Sequence, residues 1–263
     1  MITVFTSTYN RAYCLTRLYR SLCVQTYADF EWLIIDDGSI DNTEESINTF
    51  LQENKIQIHY HNVPNGGKSR AINKGALLAK GDLFFIVDSD DYLTPGALQN
   101  IRFAWEKISN KQEYAGLCFR EILASTGQII GDPFPWQEFD SDILELDYRH
   151  TKKADKTVIF QPHVLRQFPF PEIKGENFVP EGVVYNRIAV AGFKLRCVDI
   201  GVTLCEYLPD GLTQNFKSNL KKNCIGFSIY YRELLSYRQV PLLIKLKSLI
   251  RYLQCKYYQT RSI

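Results

Sequence analysis

The stretch Leu83-Phe84-Phe85-Ile86-Val87-Asp88-Ser89-Asp90-Asp91 constrains the fold more than any other, because five apolar residues in a row deliver three carboxylates to one point. An unbroken apolar block of that length reads as a strand covered on both faces, the usual condition in α/β sheets. The acids fall just past its C-terminal end, where open α/β sheets bind ligands. Asp88 and Asp90 point the same way if the chain keeps its strand pleat through Ser89. Such a pair suits a hard divalent cation that keeps several waters and completes its shell with substrate phosphates. The alternative is an acidic turn that ends the strand and caps a helix from Thr94-Pro95 onward.

Around this run, residues 1 to about 90 repeat strand, turn and helix. Strands are expected at Ile2–Thr6, Glu31–Ile35, Ile56–His61 and Leu83–Val87. The helices between them carry Leu15, Leu18, Tyr19 and Leu22, then Ile47, Phe50 and Leu51, at helical spacing. That alternation predicts a doubly wound, mostly parallel sheet with helices on both faces. After a helix near Pro95–Ile108, strands are expected at Tyr114–Phe119 and Ile122–Leu123 about a Ser125-Thr126-Gly127 turn, and again at Val158–Phe160. Residues 131–156 read as a mobile loop or lid, Glu181–Ala191 as a helix, and Lys194–Val198 with Val202–Tyr207 as a hairpin.

A chain of 263 residues that is 45% hydrophobic and 23% charged can bury a substantial core, which excludes wholesale disorder. Its seven cysteines form no CxxC pair, so a reducing compartment is expected. Neither a signal peptide nor a transmembrane span is read in the sequence. The net charge of +2 conceals an asymmetry. From Lys217 onward ten Lys or Arg face one acid, Glu233, which leaves −7 for the preceding residues. From Val240 the apolar residues Leu242, Leu243, Leu246, Leu249, Ile250, Leu253 and Tyr257 recur at helical spacing among bases. Such a helix either lies at an anionic membrane surface or docks on the domain with its charged face in water. No nucleic-acid motif accompanies the bases.

Four segments fall after successive expected strands, on one edge of the sheet. They are Ser7-Thr8-Tyr9-Asn10, Asp36-Asp37-Gly38-Ser39, Asn65-Gly66-Gly67-Lys68-Ser69-Arg70-Ala71-Ile72-Asn73 and the acidic cluster itself. In the third, Gly66-Gly67 lets a ligand approach the backbone before a helix N-terminus, and Lys68 and Arg70 bring positive charge toward phosphate. A P-loop is excluded, since position 62 is Asn where that motif needs Gly.

In order and spacing, these segments resemble family 2 glycosyltransferases with the GT-A fold, over nearly all of residues 1 to about 207. The resemblance implies a GT-A domain at 1–215, with a nucleotide-binding half at 1–92 and an acceptor half at 93–215. A basic amphipathic helical tail at 216–263 would follow. It also implies inverting transfer of a sugar from a nucleotide diphosphate donor, expected to be a UDP-sugar, to a glycan or lipid-linked acceptor. Carried onto this sequence, Ser7 would touch the nucleoside and Tyr9 stack on the base, while Asp37 or Asp36 would accept from uracil N3–H. Gly67, Lys68 and Arg70 would face the diphosphate. Asp88 and Ser89 would meet the nucleotide, and Asp90, with Asp88, would hold Mn2+ or Mg2+, Asp91 lying behind them.

An attacking hydroxyl must lose its proton, so the reaction needs an ionised carboxylate as base. Many family members place Glu-Asp six or seven residues before an Arg, the Asp being the base. Here Pro180-Glu181 precedes Arg187, so Glu181 takes that place, with Glu176 and Asp199 as fallbacks. The expected setting is cytoplasmic, at the inner face of the cell membrane through the tail. The four histidines form no metal set, and Phe134, Trp136, Phe139 and Tyr148 could serve either as a sugar platform or as packing. Two rival readings share these features: a sugar-nucleotide nucleotidyltransferase, and a non-catalytic, membrane-associated nucleotide-sugar-binding protein.

Overall fold

A computed structural model describes residues 1–150, 155–206 and 215–261. The first part alternates Ile2–Thr8 (β1), Ala12–Cys23 (α1), Phe30–Asp36 (β2), Thr43–Glu53 (α2), Ile58–Asn62 (β3), Lys68–Leu78 (α3) and Leu83–Ile86 (β4). It continues through Tyr92–Leu93 (β5), Ala97–Glu106 (α4), Tyr114–Leu123 (β6), Gln128–Ile129 (β7), Glu138–Ser141 (β8), Ile143–Glu145 (α5) and Lys156–Phe160 (β9). The remainder is Pro162–Gln167 (α6), Gly182–Val190 (α7), Lys194–Cys205 (β10), Phe216–Lys222 (α8), Cys224–Ser236 (α9) and Leu242–Arg261 (α10).

The sheet runs β3-β2-β1-β4-β9-β6-β10-β5, with β7 on β6 and β8 on β10. Strands β3, β2, β1 and β4 are mutually parallel, β9 is antiparallel to both neighbours, and β10 is parallel to β6. Period-two alternation sends successive side chains into two cores. Val4, Trp32, Ile34 and Phe85 pack under α1, α2 and α4, whereas Phe5, Leu33, Ile35 and Phe84 pack under α3, α6 and α7. Both Phe84 and Phe85 are wholly buried, each contributing about 2–3 kcal/mol. Gly75 lets α3 lie directly on β1, because a Cβ there would come within 2.3 Å of the Phe5 ring.

Several expectations are corrected. The strand pleat does not continue through Ser89: β4 ends at Ile86, and the chain turns with the Asp91 N–H donating to the Asp88 carbonyl at 3.0 Å. The anticipated hairpin at 194–207 is one strand, Lys194–Cys205, kinked by register shifts around Gly201 as it follows β6. Its outermost residue, Tyr207, lies outside the described residues. Likewise β6 is a single strand rather than two. The lid expected at 131–156 is packed in its later part, with Ile143, Leu144 and Leu146 buried in the second core, and is anchored earlier by buried Phe134; residues 151–154 lie outside the described residues. Phe134 sits under Arg120, and β8 lines Leu195–Val198, the half of β10 remote from Cys205. The exposed Trp136 packs edge-on against Phe139 and His150 there.

The C-terminal helices close on the body. Leu234 and Val240 join the second core, and α10 packs along α9 with Ser248 and Cys255 buried. Among the described residues, no helix is long and apolar enough to cross a membrane.

Candidate active site

The C-terminal ends of β1 to β4 carry the chemistry-bearing loops. After β1 the chain reverses at Asn10, a left-handed residue (φ 52°), whose N–H donates to Ser39 Oγ at 2.8 Å while its Oδ1 accepts from Ile40 N at 2.8 Å. This cross-bracing leaves Ser7 partly buried and Tyr9 48% exposed at the rim. Thr8 Oγ1, buried at the same rim, has no hydrogen-bond partner among the described residues.

The two acids after β2 are buried and committed to the scaffold. Asp36 accepts from Ser39 N at 2.9 Å and from the Tyr60 hydroxyl at 2.8 Å. Asp37 accepts from the N–H groups of Gly66 and Gly67, both at 2.7 Å, and from Asn65 Nδ2 at 3.1 Å. Burial outweighs those donors and pushes its pKa up. The Asp37 carboxylate thus shapes the loop that opens α3. Gly67 is required twice over, by φ +91° and because a Cβ would come within 1.8 Å of the Asn177 carbonyl oxygen.

Lys68, the first residue of α3, links two distant parts of the sequence. Its ammonium lies 2.7 Å from Asp88 Oδ1 and 2.8 Å from Glu181 Oε1. Burial alone would lower its pKa, but the two carboxylates outweigh it and hold the ammonium charged. Glu181 occupies the position preceding α7, and its Oε2 accepts from the Tyr185 hydroxyl at 3.1 Å. Arg70 points elsewhere. Its guanidinium donates to the carbonyls of Gly66, Ile173 and Glu176, pinning residues 173–176 against the start of α3.

Four carboxyl groups after β4 and on β6 share one region. Asp90 is 3.3 Å from Arg11 Nη1, and its carbonyl accepts from Arg17 Nη2 at 2.6 Å. Burial and the neighbouring Asp88 raise the Asp90 pKa. Burial with Asp88, Asp90 and Glu121 pushes Asp91 up to about 8, and burial is the main cause of Glu121 reaching about 7. This is a cluster of carboxyl groups too crowded for all to ionise together. Among the described residues no three His, Cys, Asp or Glu side chains form a ready cage for a metal. Hard oxygen donors in carboxylate excess, without a closed cage, fit a Mg2+- or Mn2+-type ion that takes one or two carboxylates and fills its shell with water and phosphate. Ser89 is buried within the turn between Asp88 and Asp90.

The structure therefore brings Lys68, Asp88, Glu181 and Asp90 together and turns Arg70 away. Both fallback bases are engaged: Glu176 accepts from Ile225 and Gly226 N–H at 2.7 and 2.8 Å, capping α9, and Asp199 holds Arg120 at 2.6 Å. Sequence reading missed Arg11, Arg17 and Tyr185. Arg11 adjoins the Tyr9-Asn10 turn and was within reach of the motif. Arg17 and Tyr185 lie mid-helix, and only the β1–β4 adjacency and the docking of α7 reveal them.

Comparison with known proteins identifies the family. The family described as Glycosyl transferase family 2 matches residues 3–117. An uncharacterized glycosyltransferase of Haemophilus influenzae is 31% identical over 253 residues, covering 90% of this chain and 95% of that protein. The chondroitin synthase of Pasteurella multocida is 32% identical over 144 residues, 55% of this chain but 15% of the synthase. The chain thus spans a small part of that relative, and likewise of a Pasteurella multocida hyaluronan synthase, of which the match covers 14%. Among solved structures, S. aureus TarS 1-349 in complex with UDP-GlcNAc superposes with a TM-score of 0.68 at 18% identity, covering 97% of this chain and 72% of that one. The mannosyltransferase PcManGT from Pyrobaculum calidifontis, in complex with GDP-Man and Mn2+, gives 0.61 at 14% identity, covering 99% and 74%. The fold is the GT-A arrangement of those enzymes. By a match that runs nearly end to end with the Haemophilus protein and a family profile over residues 3–117, this chain belongs to glycosyltransferase family 2.

Proposed function

We propose that the protein transfers a sugar, with inversion, from a nucleotide diphosphate donor, a UDP-sugar, to a hydroxyl of a glycan or lipid-linked acceptor in surface polysaccharide synthesis. The observation that carries this reading is the Lys68 ammonium set between Asp88 and Glu181, which joins the donor-side acids to the acceptor-side acid. The relatives named as chondroitin and hyaluronan synthases and the neighbour bound to UDP-GlcNAc support the donor and the polysaccharide setting. Seven unpaired thiols suit the cytoplasm.

In this reading Tyr9 stacks on the base and Ser7 meets the nucleoside. Asp37 Oδ1 accepts one backbone N–H and keeps a lone pair for uracil N3–H, while Asp36, wholly buried with both oxygens engaged, is the weaker candidate. Gly67 allows close backbone approach, Asp88 and Ser89 contact the nucleotide, and Arg70 positions the 173–176 segment. Asp90, with Asp88, would hold the divalent ion, which when bound supplies positive charge to the departing diphosphate. Lys68 leaves Glu181 for a diphosphate oxygen as the donor enters. Freed Glu181 Oε1 takes the acceptor proton as the hydroxyl oxygen bonds to the anomeric carbon. The bond from that carbon to the diphosphate oxygen breaks on the opposite side, its electron pair leaving with the nucleotide.

The test is release of nucleoside diphosphate from a panel of UDP-, GDP- and TDP-sugars with Mn2+, with and without oligosaccharide acceptors. Release of UDP, accelerated by an acceptor, is the expected result. Exchange of pyrophosphate into the donor, or no release from any sugar nucleotide, would overturn the reading.

A further inference from the structure

Helix α10 is attached to the body by the face that its sequence pattern would leave outside. Ser248 and Cys255 are buried against α9, Gln259 Nε2 reaches the Cys224 carbonyl and Ser228 Oγ at 3.2 Å, and Arg251 stacks on Phe216. Seven apolar residues between Leu242 and Tyr257 are instead 41–74% exposed. At roughly 100° per residue the exposed set, including Leu246, Leu249, Leu253 and Tyr257, covers an arc of about 120° directly opposite the Ser248–Cys255 seam. Lys245 and Lys256 border one edge of that arc, and Lys247 borders the other. The helix contains five Lys or Arg and no acid.

We propose that this outward face lies flat in the headgroup region of an anionic lipid bilayer, with the leucine stripe inserted and the bordering lysines on lipid phosphates. The pattern meets the requirements of an interfacial helix: an apolar face, a basic margin, and too little continuous hydrophobicity to span. Among the described residues the body packs on the opposite face and leaves the stripe exposed. Pairing with α10 of a second copy would set lysine against lysine with no acid in the helix to neutralise them. The seat also has a route to the active site. Gln259 ties α10 to the start of α9, Asn223 Oδ1 just before α9 accepts the N–H groups of Asn177 and Phe178 at 2.9 and 3.1 Å, and that segment leads into Glu181. The proposal goes beyond the transferase reading and stands whatever the donor is.

The full chain should co-sediment with phosphatidylcholine vesicles containing about a third phosphatidylglycerol, bind pure phosphatidylcholine far less, and be released by added salt. Replacing both lysines in Lys245→Gln/Lys256→Gln should weaken partitioning on the order of 30-fold. Leu246→Gln/Leu253→Gln should weaken it at least about tenfold. Unchanged thermal unfolding of both variants would show that the body is intact. Wild-type protein that stays in the supernatant with anionic vesicles, or variants that bind as wild type does, would overturn the proposal. So would a vesicle-free dimer in analytical ultracentrifugation that Leu246→Gln/Leu253→Gln dissolves, since the face would then belong to a second copy.

Discussion

Two groups of acids around the same sheet edge are held in opposite ways. Asp36 and Asp37, at most 5% exposed, are satisfied by fixed donors: Ser39, Gly66 and Gly67 N–H, the Asn65 amide and the Tyr60 hydroxyl. Asp88 and Glu181, with side chains 44% and 35% exposed, are held by one shared lysine, and Asp90 by Arg11. A backbone donor cannot leave its acceptor without unfolding a loop, whereas a side-chain cation can exchange one anion for another. The first group is therefore scaffold before it is ligand site. On the proposed function, the second would yield to a ligand that brings its own phosphates.

Substitutions should separate the two regions by kind of effect. The largest change is expected from Glu181→Gln, which keeps shape and hydrogen bonding but removes the proton acceptor. Turnover measured by nucleotide release with acceptor should fall about 10²–10⁴-fold while donor affinity is retained. Near-normal turnover would move the base elsewhere. Asp37→Ala should act on stability first. It strands one buried and one part-buried N–H of the glycine loop and should lower unfolding free energy in urea by roughly 2–4 kcal/mol. A variant as stable as wild type but unable to bind donor would reverse the division drawn here.

The smallest effect is expected at the other end of β4. Burial would raise the pKa of Asp82, but its double contact with Arg102 and the N-terminal ammonium outweigh that and bring it from 3.8 to about 2. A carboxylate whose folded pKa is depressed contributes stability above its unfolded value and loses it as pH falls through the folded one. The melting temperature of wild type should therefore exceed that of Asp82→Asn by only a degree or two at pH 7, because the site is half exposed. The gap should close between about pH 4 and pH 2. A gap that widened with acid would contradict the ion pair.

Much of this was legible in the sequence for physical reasons. The block Leu83–Val87 reads as a doubly covered strand, and the order of motifs after β1, β2 and β3 points to the edge where Lys68, Asp88 and Glu181 meet. Charge partners were not legible. Lys68 and Arg70 look alike as bases beside two glycines, yet one turns to carboxylates and the other to carbonyls, a choice made by residues 173–181 more than a hundred positions away. The kink in β10 was read as a hairpin because Asp199-Ile200-Gly201 carries turn chemistry. Only the pairing with β6 keeps the strand continuous. The leucines of α10 gave the right helix, but periodicity does not say which face meets the body.

Isothermal titration of UDP, with Mn2+ and then with EDTA, into wild type and Asp90→Ala tests the exchangeable acid cluster most directly. The expected result is that Mn2+ tightens binding to wild type by at least about tenfold and does nothing for the variant. Equal affinities under all four conditions would contradict a cation and diphosphate held by the acids at the end of β4.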